Sequence, residues 1–118
     1  MSAWTSDELD RIGRAEELEL AINGRTVTIW VVRVGHDLYI RSWRGTHGAW
    51  YRRAQRTKAG RIHAGGVDHD VALARAEENV NGPVDDAYRT KYAQYADSYT
   101  GHMVAAQARA TTLVLEPR

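Results

Sequence analysis

The stretch RTVTIWVVRV, Arg25 to Val34, constrains this chain more than any other. It is dense in β-branched and aromatic side chains, which fit a pleated, half-buried surface, so it predicts a strand. The residues on both sides of Trp30 are apolar, which predicts a central strand buried on both faces. Gly35, His36 and Asp37 supply a turn, and LYIRSW (Leu38 to Trp43) returns as the hairpin partner. Just ahead, ELELAI places Leu18, Leu20 and Ile22 on one face, the alternation of another strand.

Other segments follow with recognisable signals. Thr5 with Glu8 matches a capping box and predicts a short helix through Leu9 and Ile12, closed by Gly13. RGTHG reads as a glycine-flanked loop, and AWYRRAQRT as a short helix broken by Gly60. RIHA, a Gly65-Gly66 turn and VDHDVALARA read as a second hairpin. In NGPVDDAYRTKYAQYA, Asn81 or Gly82 is expected to cap a helix, with Pro83 in its first turn and Asp85 and Asp86 against its dipole. Val84, Tyr88, Tyr92 and Tyr95 then share one helical face. DSYTGHMVAAQ reads as irregular or as a short helical turn, and ARATTLVLEP as a final strand. About six strands with two or three short helices predict an α+β fold, a small antiparallel barrel decorated by helices. One domain is expected over residues 1–118, with residues 1–15 as a helical segment packed on the barrel.

Bulk properties exclude several function classes. A chain of 118 residues has room for one core without staples. It has no cysteine, which removes thiolate metal sites, iron–sulfur clusters and cysteine nucleophiles. No apolar run approaches the roughly 20 residues of a membrane helix. The opening MSAWTSDELDRIG lacks a basic and then apolar leader pattern, so a cytoplasmic protein is expected. No nucleophile elbow, dinucleotide fingerprint or Walker motif is present.

The charge distribution is informative because it is local. Net charge is only +1, yet residues 38–67 hold seven Lys/Arg and no Asp or Glu. Arg41 and Arg44 sit beside a loop whose Gly45 and Gly48 let the backbone approach a ligand closely. Arg52 and Arg56 share a helical face, Arg53 is adjacent to it, and the helix start near Gly48 adds its dipole. These features suit one compact anionic group. They equally suit ion pairing with a partner subunit or a solvated surface. Nucleic acid fits poorly, because no basic repeat tracks a long backbone.

Among other candidates, Trp43, Trp50 and Tyr51 flank the arginines and offer rings for stacking. Trp30 reads as core. The tyrosine stripe reads as packing, or as hydroxyls facing a ligand, with Tyr92 and Tyr95 the stronger candidates for a catalytic hydrogen bond or proton. His102, in YTGHMV, is a candidate general base. His63 and His69 flank the Gly65-Gly66 turn, but alternation turns Asp68 and Asp70 away from His69, so no metal site is expected.

The order of TIWVVRVGHDLYIRSWRG, GAWYRRAQRTKAGRIHAGG, AYRTKYAQYA and ARATTLVLEP resembles the flavin-binding split β-barrel proteins. It is most similar to the deazaflavin-dependent nitroreductase-like branch and its small bacterial relatives of unknown function. The resemblance runs from Glu17 to Pro117. It implies a small antiparallel split β-barrel, a homodimer packed barrel to barrel, and flavin mononucleotide or a deazaflavin in a groove at the interface. It implies phosphate contacts from Arg41, Ser42, Trp43, Arg44 and Gly45 and from Trp50, Tyr51, Arg52 and Arg53, with Tyr92 and Tyr95 towards the substrate. Two stretches depart from the deazaflavin pattern. The turn before TVTIW is only Asn23 to Arg25, and Arg53-Ala54 stands where an Asn-Leu is usual. The leading expectation is an oxidoreductase acting on a small organic molecule. The alternatives are a cofactor-free descendant that binds a small ligand or does acid–base chemistry, and a non-catalytic accessory protein.

Overall fold

The structure is a computed structural model that describes residues 3–95 and 99–118. Its centre is one antiparallel sheet of seven strands: β1 (Leu18–Ile22), β2 (Arg25–Ile29), β3 (Val32–Val34), β4 (Asp37–Ile40), β5 (Ala59–Ala64), β6 (Val67–Arg75) and β7 (Leu113–Pro117). Their order across the sheet is β2-β1-β5-β6-β7-β4-β3. The two edge strands, β2 and β3, are therefore neighbours in sequence, joined only by Trp30 and Val31. Such a link spans roughly 10 Å at full extension, so the opposite edges of the sheet must lie close together. The sheet curls into a half-barrel, and the fold is α+β.

This topology corrects the reading of RTVTIWVVRV as one central strand. It is two edge strands, interrupted where the chain leaves one sheet edge and joins the other. Its apolar residues on both faces have a different cause. Val31 and, in part, Val27 and Ile29 pack in the barrel interior. Val32 and, in part, Trp30 and Val34 belong to a second apolar cluster outside the barrel.

The helices are α1 (Ser6–Arg14), α2 (Ala49–Thr57), α3 (Asn81–Lys91), α4 (Gly101–Met103) and α5 (Ala106–Arg109). Both hydrogen bonds of the Thr5–Glu8 capping box are present, and Leu9 and Ile12 are buried in the barrel core. Gly13 does not end α1. It lets the helix approach β3, where a Cβ would stand 3.2 Å from that of Arg33. The indole of Trp4 donates to the Leu115 carbonyl and ties this segment to the last strand.

α2 covers the expected residues, but Lys58 ends it in a left-handed conformation. Gly60 lies inside β5, where a Cβ would meet the Ala21 carbonyl at 2.8 Å. The β5–β6 hairpin places His63 opposite Asp68, with Ile62 opposite His69. α3 buries Val84 and Tyr88 on the predicted stripe, but it ends at Lys91, so Tyr92 is buried just past its end and Tyr95 lies in a following 3-10 turn. Neither Asn81 nor Gly82 caps it; Val80 does, with no side-chain bond. Asn81 is drawn away to Arg41 and Thr112. The predicted last strand starts only at Leu113, because residues 106–109 are helical. Ala96, the last residue of the stretch read as a helix, and Asp97 and Ser98, the first of the stretch read as irregular, lie outside the described residues. Among the described residues, no helix is long and apolar enough to cross a membrane.

Candidate functional site

The strand β4 decides what faces the site. Leu38 and Ile40 point into the barrel core, and Tyr39 points outwards into the cluster under α3. The same alternation sends Arg41 outwards towards α3. The strand stops at Ile40, so Arg41 to Trp43 leave the sheet rather than ending it. The chain then turns through Gly45–His47 and enters α2.

A groove of ≈ 900 Å³ opens beside this connection. One wall is the free edge of β2, from Val27 to Trp30, with Glu17 beside it. Another is the segment Ser42 to Arg44 with the start of α2, including Gly48, Trp50 and Arg53. Tyr95, Tyr99 and Met103 complete it. The volume falls in the range of small-molecule and cofactor sites.

The basic segment divides sharply. Arg41 is fully buried, and its guanidinium is turned inwards. Its Nε donates to Thr112 Oγ1 at 2.9 Å, one terminal nitrogen donates to Asp85 Oδ1 at 2.5 Å and to the Met103 carbonyl at 2.9 Å, and the other reaches Asn81. Arg41 thus lines the groove with its guanidinium donors already engaged, leaving none for a ligand phosphate. Ser42 is also buried, its backbone N–H donating to Thr111 Oγ1. Gly45 has a positive φ and lies under Gln107, which a Cβ would meet at 2.3 Å, so close packing on α5 explains this glycine. Gly48 has a similar reason: a Cβ there would stand 2.4 Å from Ser42 Oγ.

Trp43 and Arg44 face outwards and line the groove. On α2, Trp50 and Arg53 are three residues apart and share the groove face. Arg52 is exposed outside the groove, and Tyr51 is buried in the barrel core, so neither is a groove contact. Arg53 Nε is buried without a hydrogen-bond partner among the described residues. Neither Arg44 nor Arg53 forms an ion pair among the described residues. The first turn of α2 carries no acidic side chain and no side-chain cap, leaving its amide dipoles for an anion.

The candidate catalytic residues also separate. The Tyr92 hydroxyl is buried, donates to the Glu16 carbonyl at 2.6 Å and accepts from the Val31 N–H at 3.3 Å. Burial pushes its pKa well above the ordinary tyrosine value. Tyr92 thus pins the junction between β2 and β3 and is no groove acid, contrary to expectation. Tyr95 does line the groove, and its hydroxyl donates to the Glu16 carboxylate. His102 is exposed and outside the lining; its ring packs against Trp43 at 4.6 Å between centroids.

Several groove residues escaped the sequence reading. Trp30, read as core, is a half-buried wall residue stacked on Tyr92 at 3.9 Å and 3°. The signal was present in its apolar neighbours, which serve two different apolar environments. Glu17 and Met103 carry no sequence mark that separates them from ordinary surface and core residues.

Solved structures of the same fold exist. One, described as an F420 reductase, shares 13% identity over 93% of this chain and 92% of its own, with a TM-score of 0.52. Another, the FAD and heme binding protein from Mycobacterium smegmatis, shares 15% identity with a TM-score of 0.54. The match covers 94% of this chain but only 64% of that protein. At such identities the likeness establishes the split-barrel fold. No curated protein matches the sequence. Residues 8–115 match the model of one sequence family, and the chain belongs to that family, the uncharacterized proteins conserved in bacteria grouped as DUF2255.

Proposed function

We propose that this protein binds a flavin or deazaflavin phosphate in the groove and works as an oxidoreductase on a small organic molecule. The observation that carries the reading is the groove itself. It is walled by Trp30, Trp43 and Trp50, and it contains Arg44 and Arg53 beside the uncapped start of α2. The orphaned Arg53 Nε is a donor in want of an acceptor, which fits a phosphate. Arg44, Arg53 and the first amides of α2 would hold the anion, and the indoles would flank the ring system. The fold neighbours described as an F420 reductase and an FAD-binding protein support the same ligand class. A bound flavin or deazaflavin supplies hydride transfer, while the protein binds it, orients it and shapes the space for an acceptor.

The proposal includes a homodimer in a cytoplasmic setting. Trp43 and Tyr99, 44% and 52% exposed at the groove's rim, are large apolar side chains that a second copy would cover. A cofactor-free acid–base enzyme is less well supported, because of the three candidate proton-transfer groups only Tyr95 lines the groove. A spectroscopic titration of the purified protein with flavin mononucleotide and with the deazaflavin cofactor tests the reading. Saturable binding of either is expected, with fluorescence quenching by the neighbouring indoles. Absence of binding to both sinks it.

A further inference from the structure

Arg41 is buried in the lining of the groove, directly ahead of the Ser42–Arg44 wall. Its guanidinium bonds four residues on three separate pieces of chain: Thr112 just before β7, Asp85 and Asn81 on α3, and the Met103 carbonyl at the end of α4. Asp85 in turn accepts from Arg109 of α5 through its second oxygen, at 3.2 Å. The Arg41 cation also lies 5.5 Å from the centroid of the Tyr88 ring. Next in sequence, Ser42 is held by Thr111, whose hydroxyl donates to Ala108 of α5. The contacts at Gly45 and Gly48 continue the same docking. The residues immediately after this anchor, Ser42 to Arg44, form one groove wall, and Met103, whose carbonyl it holds, lies in another.

We infer that Arg41, through its buried pair with Asp85, is a positioning residue that holds the Ser42–Arg44 wall and the Met103 wall of the groove at a fixed separation. The inference adds a role for Arg41 and Asp85 to the ligand site proposed above and rests on that reading only in its ligand arm. The physical case is directional. Only a planar fork with five donors reaches carboxylate, amide, hydroxyl and carbonyl acceptors at once, so the geometry at three chain segments is set by one side chain. A buried ion pair is weak evidence for stability, since apolar replacement of both partners is often neutral. What such a replacement removes here is the fixed direction of those bonds.

The test uses the double substitution Arg41→Met with Asp85→Leu in the full chain. The urea midpoint is expected near that of the wild type, because both charges are removed together. Amide exchange in residues 42–48 and 101–105 is expected to speed up by about tenfold or more, while the β5–β6 hairpin exchanges as before. The flavin mononucleotide Kd is expected to rise about tenfold or more, because the arginine and aromatic contacts no longer sit in register. A merely structural role would move the midpoint and leave exchange uniform across the sheet. Unchanged exchange in both wall segments, with unchanged affinity, overturns the inference. If the wild type binds no flavin, the exchange arm decides alone, so loss of the ligand reading does not shelter this one. If the double variant does not fold, Arg41→Lys takes its place. Lysine keeps the charge but not the fork, so the same local loosening is expected, and full rescue by lysine overturns the inference.

Discussion

Arg41 and Arg44 stand three residues apart in one loop, and the fold gives them opposite work. Arg41 is sealed from solvent and bonded on every nitrogen, whereas Arg44 is exposed along the groove without an ion-pair partner among the described residues. Residue type does not distinguish them; phase does. Leu38 and Ile40 face the barrel core, so the alternation of β4 carries Arg41 to the face where α3 packs. Arg44 comes after the strand has ended, on a turn that opens to solvent. A run of like charges can therefore contain one member that belongs to a core network and others that open on the groove.

The largest effect expected from breaking this contrast comes from Arg41→Met alone. It leaves Asp85, which is almost fully buried, with only the half-exposed Arg109 as cation partner. Removing one side of a buried pair costs roughly 3–5 kcal/mol, and the retained Arg109 contact places this variant near the lower end, about 3 kcal/mol. Urea unfolding measures it. A loss below about 1 kcal/mol would show that Arg41 is no more anchored than a surface arginine.

The tyrosine stripe repeats the contrast at smaller scale. Tyr92→Phe removes a hydroxyl that serves Glu16 and Val31 at the β2–β3 junction, and about 1–2 kcal/mol of stability is expected to go with it. Flavin affinity should change little, since Tyr92 lies outside the groove lining. Tyr95→Phe is expected to do the reverse, with little stability lost and a shift in ligand affinity or turnover. Equal effects of the two substitutions on ligand binding would contradict the division of roles.

How far these roles could be read from sequence depends on the range of the interaction that sets them. Many local signals held, although Gly13 and Gly60 do not end helices and neither Asn81 nor Gly82 caps α3. The Thr5–Glu8 cap, the bounds of α2, the Gly65-Gly66 turn and the Val84-Tyr88-Tyr92 stripe each depend on residues a few positions apart. The identity of the sheet edges depends on closure of the whole barrel, and RTVTIWVVRV carries no mark of where it crosses from one edge to the other. The inward network of Arg41 was not legible because its partner Asp85 is 44 residues away, in a segment where a helix-dipole role was the simpler reading of the carboxylate. That Trp50, Trp43, Arg44 and Arg53 share one groove was legible because loop and helix-start chemistry brings them together locally.

Arg44→Ala should leave stability within about 0.5 kcal/mol of the wild type, as for most exposed positions. Its effect belongs to the ligand. Flavin mononucleotide is expected to bind roughly tenfold more weakly, the scale of one lost bond to a charged group. The salt dependence of binding should also flatten, because a phosphate-facing cation is gone. Riboflavin, which lacks the phosphate, should not notice the change. Equal weakening for both ligands would place Arg44 against the ring rather than the anion.

Lys91 adds a third kind of cation and the smallest predicted effect. Its ammonium donates to the Val31 carbonyl at 2.6 Å and lies 5.2 Å from the Tyr92 ring centroid, so it supports the same strand junction from α3. Burial lowers its pKa from 10.5 to about 8, with the nearby Glu16 charge acting in the opposite direction. Arginine keeps its proton when buried and must find partners, whereas lysine can answer burial by releasing the proton. The sign of the pH effect follows. Between pH 8 and 10.5 the unfolded chain holds more protons at this site than the folded one, so Lys91 makes stability rise with pH across that window. Below pH 8 the unfavourable contribution is present in full. Solvent screening of a side chain only partly buried keeps the gain modest. Comparing urea midpoints between pH 7.5 and 9.5 for the wild type and Lys91→Met isolates the contribution, because other titrations are common to both. The wild type should gain stability relative to the variant as pH rises. A parallel pair of curves would mean that Lys91 reaches solvent and serves the junction no more than an exposed lysine does.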